Sequence, residues 1–405
     1  MLIPRPDYID RIAPFVGQHI IKVLTGLRRC GKSSLLRLVA DRLLAEGTPT
    51  SHVIYVNFEL LESAPLTEAT ALSQWVTDQM TEPGPYFVFF DEVQEVDHWE
   101  KSVNSLFAAF DNIDIYLTGS NSRLLSSELA TYIAGRYVTI PVATLSFSEH
   151  LAFAQQTGTG AASLADQFDT YRRRGGFPGL YATSYADIQI DQAVADIYNS
   201  ALIQDTIRRR EIRNVDMLRR IANFTLDNIG SPFSARSLSN YFKSQRRPID
   251  PETVLNYLDA LCESFILVKV PRYDLQGKKL LTVAEKYYAG DHGLVNALLG
   301  HNDRHLPGIL ENIVGAELRL RGYQTTVGKL GTQEVDFVAT KGTERLYVQV
   351  TSSLTASDET RQRELAPLLA IRDAYPKIVV SLDAHAAGSY DGIRHIWLPH
   401  WLLDR

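Results

Sequence analysis

Two cysteines are all that this 405-residue sequence contains, Cys30 and Cys262, and they lie far apart. That scarcity excludes a disulfide framework and fits a reducing compartment. No apolar run reaches the roughly 20 residues that a membrane-spanning helix needs. The opening residues MLIPRPDYID have no apolar signal core. The expectation is a soluble, cytoplasmic protein with no membrane partner. A surplus of positive charge is missing as well, since 41 Lys and Arg stand against 47 Asp and Glu, for a net charge of -6. Any nucleic-acid contact must therefore come from a local basic face. There is no internal repeat and no low-complexity linker.

What is present has a globular balance, 45% apolar and 22% charged, in a chain long enough for two or three domains. From 1 to 145, short apolar runs alternate with segments of helical period. The runs are Ile20–Thr25, Val53–Phe58, Tyr86–Phe90, Ile113–Thr118 and Tyr137–Val142. This alternation predicts an α/β unit, a parallel sheet covered by helices. Residues 146–230 read as a helical lid or connector, broken at Gly175-Gly176-Phe177-Pro178. Residues 231–295 read as short helices followed by a hairpin. Residues 305–405 open with a helix and return to strands.

The strongest chemical signal is Gly26-Leu27-Arg28-Arg29-Cys30-Gly31-Lys32-Ser33, which satisfies G-x-x-x-x-G-K-[ST] at every position. An apolar strand runs into it. A helix runs out, with Leu35, Val39 and Leu43 on one face and Gly47 as the stop. Glycines let successive backbone N–H groups converge on an anion, and the helix N-terminus adds its positive end. Gly26, Arg29, Gly31, Lys32, Ser33 and Ser34 are the expected nucleotide contacts. Lys32 is expected at the β- and γ-phosphates of ATP and Ser33 on Mg2+. The apolar strand Tyr86–Phe90 then ends in Asp91 and Glu92, 59 residues after Lys32. Carboxylates at a strand's C-terminal edge lie in the crevice where open α/β sheets bind ligands. Asp91 is expected to hold the Mg2+ hydration shell and Glu92 to polarise the lytic water.

Two further elements fit a phosphoryl-transfer site. The turn Thr118-Gly119-Ser120-Asn121-Ser122 follows another buried strand. Ser120 is the preferred γ-phosphate sensor, with Thr118 and Asn121 close behind; the competing reading is an ordinary polar turn. Ile133-Ala134-Gly135-Arg136 places an arginine just before the last strand. Arg136 is either an arginine finger acting on a neighbouring subunit or a surface ion-pair residue.

Residues 206–247 carry ten Lys and Arg against three Asp and Glu, in a chain that is acidic as a whole. Phe233–Phe242 reads as one short helix. Asp250 caps another, with Pro251 in its first turn and Val254, Leu258 and Leu261 on its apolar face. Phe265–Val270 and Lys279–Tyr288 read as a two-stranded wing around Gly277-Lys278. The pattern resembles a winged helix-turn-helix, which places Arg236, Lys243, Arg246, Arg247 and Lys278 as DNA contacts. A structural lid is the alternative use of such a unit.

The last part gives an α-β-β-β-α-β order: a helix over Gly308–Arg321, strands Gln333–Ala339 and Arg345–Val350, a helix near Thr360–Ile371 and a strand over Lys377–Leu382. It resembles the PD-(D/E)XK restriction-endonuclease-like core. Glu311, Asp336 and Gln349 match its metal-ligand positions, as a vestigial site. Thr351 stands where the lysine belongs, and a hydroxyl cannot replace that charge. Lys329 and Lys341 are the nearby lysines that could migrate in. A degenerate nuclease fold kept for binding or assembly is the expected reading.

Taken together, the chain resembles a family of bacterial and archaeal AAA-type ATPases with a P-loop domain, a winged helix and a C-terminal nuclease-like domain of unknown function. The resemblance covers nearly the whole chain. It rests on Pro4-Arg5-Pro6, Gly-x-Arg-Arg-x-Gly-Lys-Ser, Thr118-Gly119-Ser120, Ala134-Gly135-Arg136, Gly175-Gly176-Phe177-Pro178, Lys286-x-Tyr288-x-x-Asp291, Glu334-Val335-Asp336-Phe337, Gln349-Val350 and the terminal Trp401-Leu402-Leu403. The resemblance implies ATP hydrolysis in a ring or other homo-oligomer and a DNA-linked task. Two functions remain open: a motor or remodeller acting on duplex or branched DNA, and a nucleotide-driven signalling or defence switch. An ATP-dependent metal nuclease is the minority alternative.

Overall fold

The computed structural model describes residues 3–122, 135–158, 160–182, 186–385 and 387–404. The chain divides into two compact units, residues 1–142 with 263–265, and residues 143–262 with 266–405.

In the first unit, strands β1 (Ile21–Thr25), β2 (Val53–Asn57), β3 (Tyr86–Asp91), β4 (Ile113–Gly119) and β5 (Tyr137–Pro141) form one parallel sheet in the order β2-β3-β4-β1-β5. All five expected strands are present, with ends shifted by a residue or so. Every residue of β1, β3 and β4 is buried, so these strands are mostly apolar rather than alternating, and the charged Lys22 of β1 and Asp114 of β4 pair with each other. Helices α1 (Pro6–Ile12), α2 (Lys32–Ala45), α3 (Ala69–Gln79) and α4 (Trp99–Ala109) accompany the sheet. Val23, Val88, Phe90, Val103, Leu106, Ile115 and Leu117 belong to one apolar cluster. Each such side chain contributes roughly 1.5–3 kcal/mol by burial. The parallel register sets Leu24 beside Thr118 and Asn57 beside Asp91. The strand order reverses at β1, which has β4 on one side and β5 on the other. That is where a doubly wound sheet opens a crevice at its C-terminal edge.

The second unit begins with helices α5 (Phe147–Gln156), α6 (Leu164–Arg174), α7 (Asp187–Ala201) and α8 (Val215–Asp227). Between α6 and α7, Gly175 adopts φ +82°. A Cβ there would lie 2.1 Å from the Asp291 carboxylate, which itself accepts N–H bonds from Gly176 and Gly293 at 2.8 Å each. Asp291 therefore holds this glycine turn in place. Helices α9 (Ala235–Ser244) and α10 (Pro251–Glu263) are the expected pair, and Asp250 caps the second through Thr253 N at 2.9 Å. Strands β6 (Leu267–Asp274) and β7 (Lys279–Ala289) follow as a hairpin. Beyond α11 (Gly293–Leu299) come α12 (Leu306–Leu320), β8 (Gln324–Leu330), β9 (Gln333–Lys341), β10 (Glu344–Val350), α13 (Asp358–Ala370), β11 (Lys377–Ser381), β12 (Gly388–Tyr390), β13 (Ile393–Trp397) and α14 (Leu398–Leu403).

The expected α-β-β-β-α-β order is thus α12, β8, β9, β10, α13 and β11. The hairpin, however, is not a free wing. The sheet runs β12-β13-β11-β10-β9-β8-β6-β7, and β6 pairs in parallel with β8, Arg272 opposite Val327. β6 reaches β8 because it continues past Val270 to Asp274. The register shift between Val270 and Arg272 accommodates Pro271, which cannot donate to a ladder.

Candidate functional site

The loop between β1 and α2 is built for an anion. Gly31, at the N-terminus of α2, adopts φ +102°, and Arg29 adopts φ +64°. A Cβ on Gly26 would fall 2.1 Å from the Val142 carbonyl oxygen, so only glycine fits. Inside the loop, the Lys32 ammonium donates to the carbonyl oxygens of Gly26 (3.1 Å) and Leu27 (3.3 Å). It lies 3.5 Å from Glu92. Buried Arg5 donates to the Cys30 carbonyl at 3.1 Å and stacks its guanidinium over Tyr8. This bond secures the loop from the N-terminal side. Burial raises the Cys30 thiol above its ordinary range, and an un-ionised, buried thiol is inert.

At the ends of β3 and β4 the expected carboxylates meet the loop. Ser33 Oγ donates to Asp91 Oδ1 at 2.9 Å. Thr118 Oγ1 donates to the same oxygen at 2.6 Å and accepts from Glu92 N at 2.8 Å. Tyr55, on β2, donates to Asp91 Oδ2 at 3.0 Å, with Arg37 over its ring. Glu92 holds φ +55°, an uncommon conformation for a non-glycine residue that marks strained functional positions. Gln94 Nε2 donates to its carboxylate. Burial pushes the Glu92 carboxyl up, but the charge of Lys32, the Gln94 bond and Arg28 outweigh it and hold it below the ordinary range. It is therefore ionised at neutral pH.

The structure brings Lys32, Ser33, Asp91 and Glu92 together. From the polar turn, Thr118 touches Asp91, and Ser120 and Asn121 are buried. Ser34 and Arg29 are exposed on the loop. Arg136 is exposed just ahead of β5, its carbonyl accepting from Ile21 N at 2.8 Å. Ile133 and Ala134 lie outside the described residues. Sequence reasoning missed Tyr55 and the bond made by Arg5. The Asp91 carboxylate with the Ser33 and Thr118 hydroxyls forms an all-oxygen donor set of the kind that suits Mg2+.

In the second unit, Asn214, Arg236, Lys243, Ile249, Asp250 and Tyr257 line part of a groove of about 660 Å³ between α9 and α10. Arg236, Lys243, Arg246, Arg247 and Lys278 are all exposed. Part of the basic surplus is used internally. Arg220 and Arg247 both bind Asp216, at 2.8 and 3.0 Å, and Arg219 binds Asn199.

The C-terminal sheet arranges the expected nuclease-like residues differently. Glu311 (α12) and Asp336 (β9) do converge, and Glu334 joins them. The cation among them, however, is the Lys286 ammonium from β7, 3.1 Å from Glu311, 2.6 Å from Glu334 and 3.5 Å from Asp336. Lys341 instead donates to the Arg321 carbonyl at 3.0 Å. Gln349 spends its amide on Glu364 (3.0 Å) and Asp336 N (3.4 Å). Thr351 donates to the Ser353 carbonyl at 3.2 Å. Among the described residues, no group of three His, Cys, Asp or Glu is arranged to hold a metal ion. The expected vestigial site of Glu311, Asp336 and Gln349 is thus an ion network whose cation is a lysine. Burial would lower the Lys286 ammonium, but Glu311, Asp336 and Glu334 outweigh it and raise it.

A five-stranded parallel sheet in this order, with the loop after β1 and the acid pair after β3, defines an AAA-type P-loop ATPase domain. Residues 18–151 match the family described as AAA domain, and residues 165–305 match a domain of unknown function (DUF8612). The chain belongs to the same family as an uncharacterized protein of Haemophilus influenzae, 35% identical over 406 residues that cover 100% of this chain and 99% of that one. An uncharacterized protein of Methanocaldococcus jannaschii is 28% identical over 355 residues, 84% of this chain and 77% of its own length. A Walker-type ATPase of Pyrococcus abyssi shares the fold, with a TM-score of 0.53 at 17% identity, covering 73% of this chain and 96% of that one. Among the described residues no helix is long and apolar enough to cross a membrane.

Proposed function

We propose that this protein hydrolyses ATP and that its second unit contacts DNA. The observation that carries the first half is the cluster of Lys32, Ser33, Asp91, Glu92 and Thr118 at one edge of the sheet. In this reading the loop amides and Lys32 hold the phosphates. Ser33 and Asp91 are the residues that would hold Mg2+, which when bound neutralises charge on the phosphoryl oxygens. Glu92, ionised at neutral pH, accepts a proton from the attacking water. Thr118 fixes Asp91 and the Glu92 backbone together. Tyr55 holds the second oxygen of Asp91. Arg136, exposed ahead of β5, acts in trans in a homo-oligomer. Lys32→Ala tests the core of this reading. It should abolish both ATP binding and turnover with the fold intact, and turnover that survives would reject the assignment.

DNA contact is supported by the exposed cations of the α9–α10 segment and by the groove that Arg236 and Lys243 line. Phosphate contacts of this kind give little sequence preference. The internal pairing of Arg220 and Arg247 favours a second reading, a nucleotide-driven switch that gates partner binding without moving on DNA. DNA-stimulated ATP turnover supports the first reading, and turnover indifferent to DNA supports the second.

A further inference from the structure

The segment Lys286-x-Tyr288-x-x-Asp291 plays no part in the ATP site, yet Lys286 is among the largest fully buried side chains of the molecule. Its surroundings explain the burial. Three carboxylates converge on it, from α12 (Glu311) and from β9 (Glu334 and Asp336). Carboxylates withdrawn from water must be protonated, hydrogen-bonded, paired with a cation of the chain, or bound to a metal. Here the three N–H donors of one ammonium match three carboxylate partners. The remaining lone pairs are also served. Tyr288 OH donates to Glu311 at 2.8 Å, and Val350 N donates to Asp336 at 2.8 Å. Arg272 lies 3.6 Å from Glu334 on the outer side.

A divalent ion does not fit beside this ammonium. Mg2+ takes oxygen ligands at about 2.0–2.1 Å and usually keeps several waters. The space between these oxygens is filled by Lys286 Nζ, whose side chain is 2% exposed. Gln349, the other expected ligand, is turned to Glu364. The nuclease-like core and its residues therefore disagree about a metal.

We propose that Lys286 takes the place of the divalent cation in the nuclease-like core. The negative charge of Glu311, Glu334 and Asp336 is met in part by a cation carried on the chain, with Arg272 beside Glu334. The cluster binds no metal, and it fastens the β6–β7 hairpin to the sheet and to α12. Such a tether makes the charge balance independent of metal concentration. It also explains why β7 is an integral edge of the sheet rather than a mobile wing.

The test uses the full-length protein without nucleotide, so that the phosphate loop contributes no metal site. Mn2+ binding is followed by the electron paramagnetic resonance signal of the free ion. The parent should show no site tighter than roughly millimolar that Asp336→Asn removes. Lys286→Met should lose about 10 °C in Tm, because buried Asp336 and the part-buried Glu311 and Glu334 lose their shared partner. Millimolar Mn2+ should restore at least half of that loss by filling the vacated place. The double variant Lys286→Met/Asp336→Asn should not be rescued. A parental Mn2+ site lost in Asp336→Asn overturns the proposal. So does metal-dependent DNA cleavage abolished by Asp336→Asn. A Lys286→Met protein with parental Tm, or a destabilised one that Mn2+ leaves unchanged, overturns it as well. If Lys286→Met does not fold, the parent and Asp336→Asn titrations decide the matter alone.

Discussion

Glu92→Gln separates chemistry from folding at the phosphate loop. The substitution keeps size and leaves an oxygen that can accept from Gln94. It removes the charge that faces Lys32 at 3.5 Å, between side chains 3% and 8% exposed. Lys32 retains its two carbonyl acceptors, so about one charge-assisted contact is lost, on the order of 1.5–3 kcal/mol. The fold should survive that loss. Turnover should not, because positioned general bases contribute roughly 10²–10⁴-fold, or about 2.7–5.5 kcal/mol of barrier. ATP affinity should be unchanged or tighter, since Lys32 is released toward the phosphates. The assay is steady-state phosphate release, paired with binding of a fluorescent ATP analogue and a thermal melt. Hydrolysis by Glu92→Gln at the parental rate would refute the role given to this residue. The pH dependence supplies a second check. A carboxyl held below its ordinary value in the fold contributes stability that is present at neutral pH and is lost as pH falls through the depressed value. The acid limb of the parental turnover profile should therefore lie below the ordinary glutamate range. A limb at or above that range contradicts the Lys32–Glu92 pairing.

Three further outcomes are expected. Thr118→Val should lower turnover by about tenfold or more, because it takes from Asp91 Oδ1 one of its two hydroxyl donors, leaving Ser33, and leaves the Glu92 N–H without its acceptor, at about 1–3 kcal/mol; the parental rate would make Thr118 a bystander. Arg136→Ala and Lys32→Ala subunits, each inactive alone, should regain ATPase activity when mixed, since an arginine supplied in trans raises phosphoryl transfer by about 10³–10⁵; confirmed co-assembly without rescue removes the finger. DNA affinity should fall steeply with salt, and Arg246→Ala/Arg247→Ala should weaken it and flatten the log–log slope by up to about two. A filter-binding series across salt concentrations measures both, and an unchanged slope takes this segment out of the DNA path.

The sheet of the first unit was legible because its three central strands, β1, β3 and β4, are buried on both faces. Tyr86–Phe90 is apolar throughout and Ile113–Thr118 nearly so, Asp114 being the charged exception, and such runs bounded by loops leave few alternatives to a parallel strand. The phosphate loop was legible because its glycines are forced, Gly31 by its φ and Gly26 by the Val142 carbonyl. Tyr55 was not legible. It sits at the middle of β2, where an alternating strand gives a tyrosine no distinction, and its link to Asp91 depends on β2 and β3 being neighbours. Which hydroxyl of the polar turn meets Asp91 was not legible for a related reason. Residues of one turn differ in sequence by a position or two, but only strand register decides which hydroxyl faces β3.

Lys286 shows where one-dimensional reading stops in the second unit. A lysine missing from Thr351 was sought nearby, at Lys329 or Lys341, because proximity in sequence was the only distance available. The cation came instead from a strand 65 residues away, through a parallel pairing of β6 with β8 that no local pattern announces. Once β6 lies beside β8, β7 forms the sheet's edge, and Lys286 and Tyr288 meet Glu311 while Asp291 reaches the glycine turn at Gly175 and Gly176. One short motif thus does two structural jobs a few residues apart. Its lysine joins an acidic cluster, and its carboxylate holds the glycine turn between α6 and α7. Because both jobs concern burial of charge, substitutions there should first show as lost thermal stability, and only afterwards as lost ATP turnover.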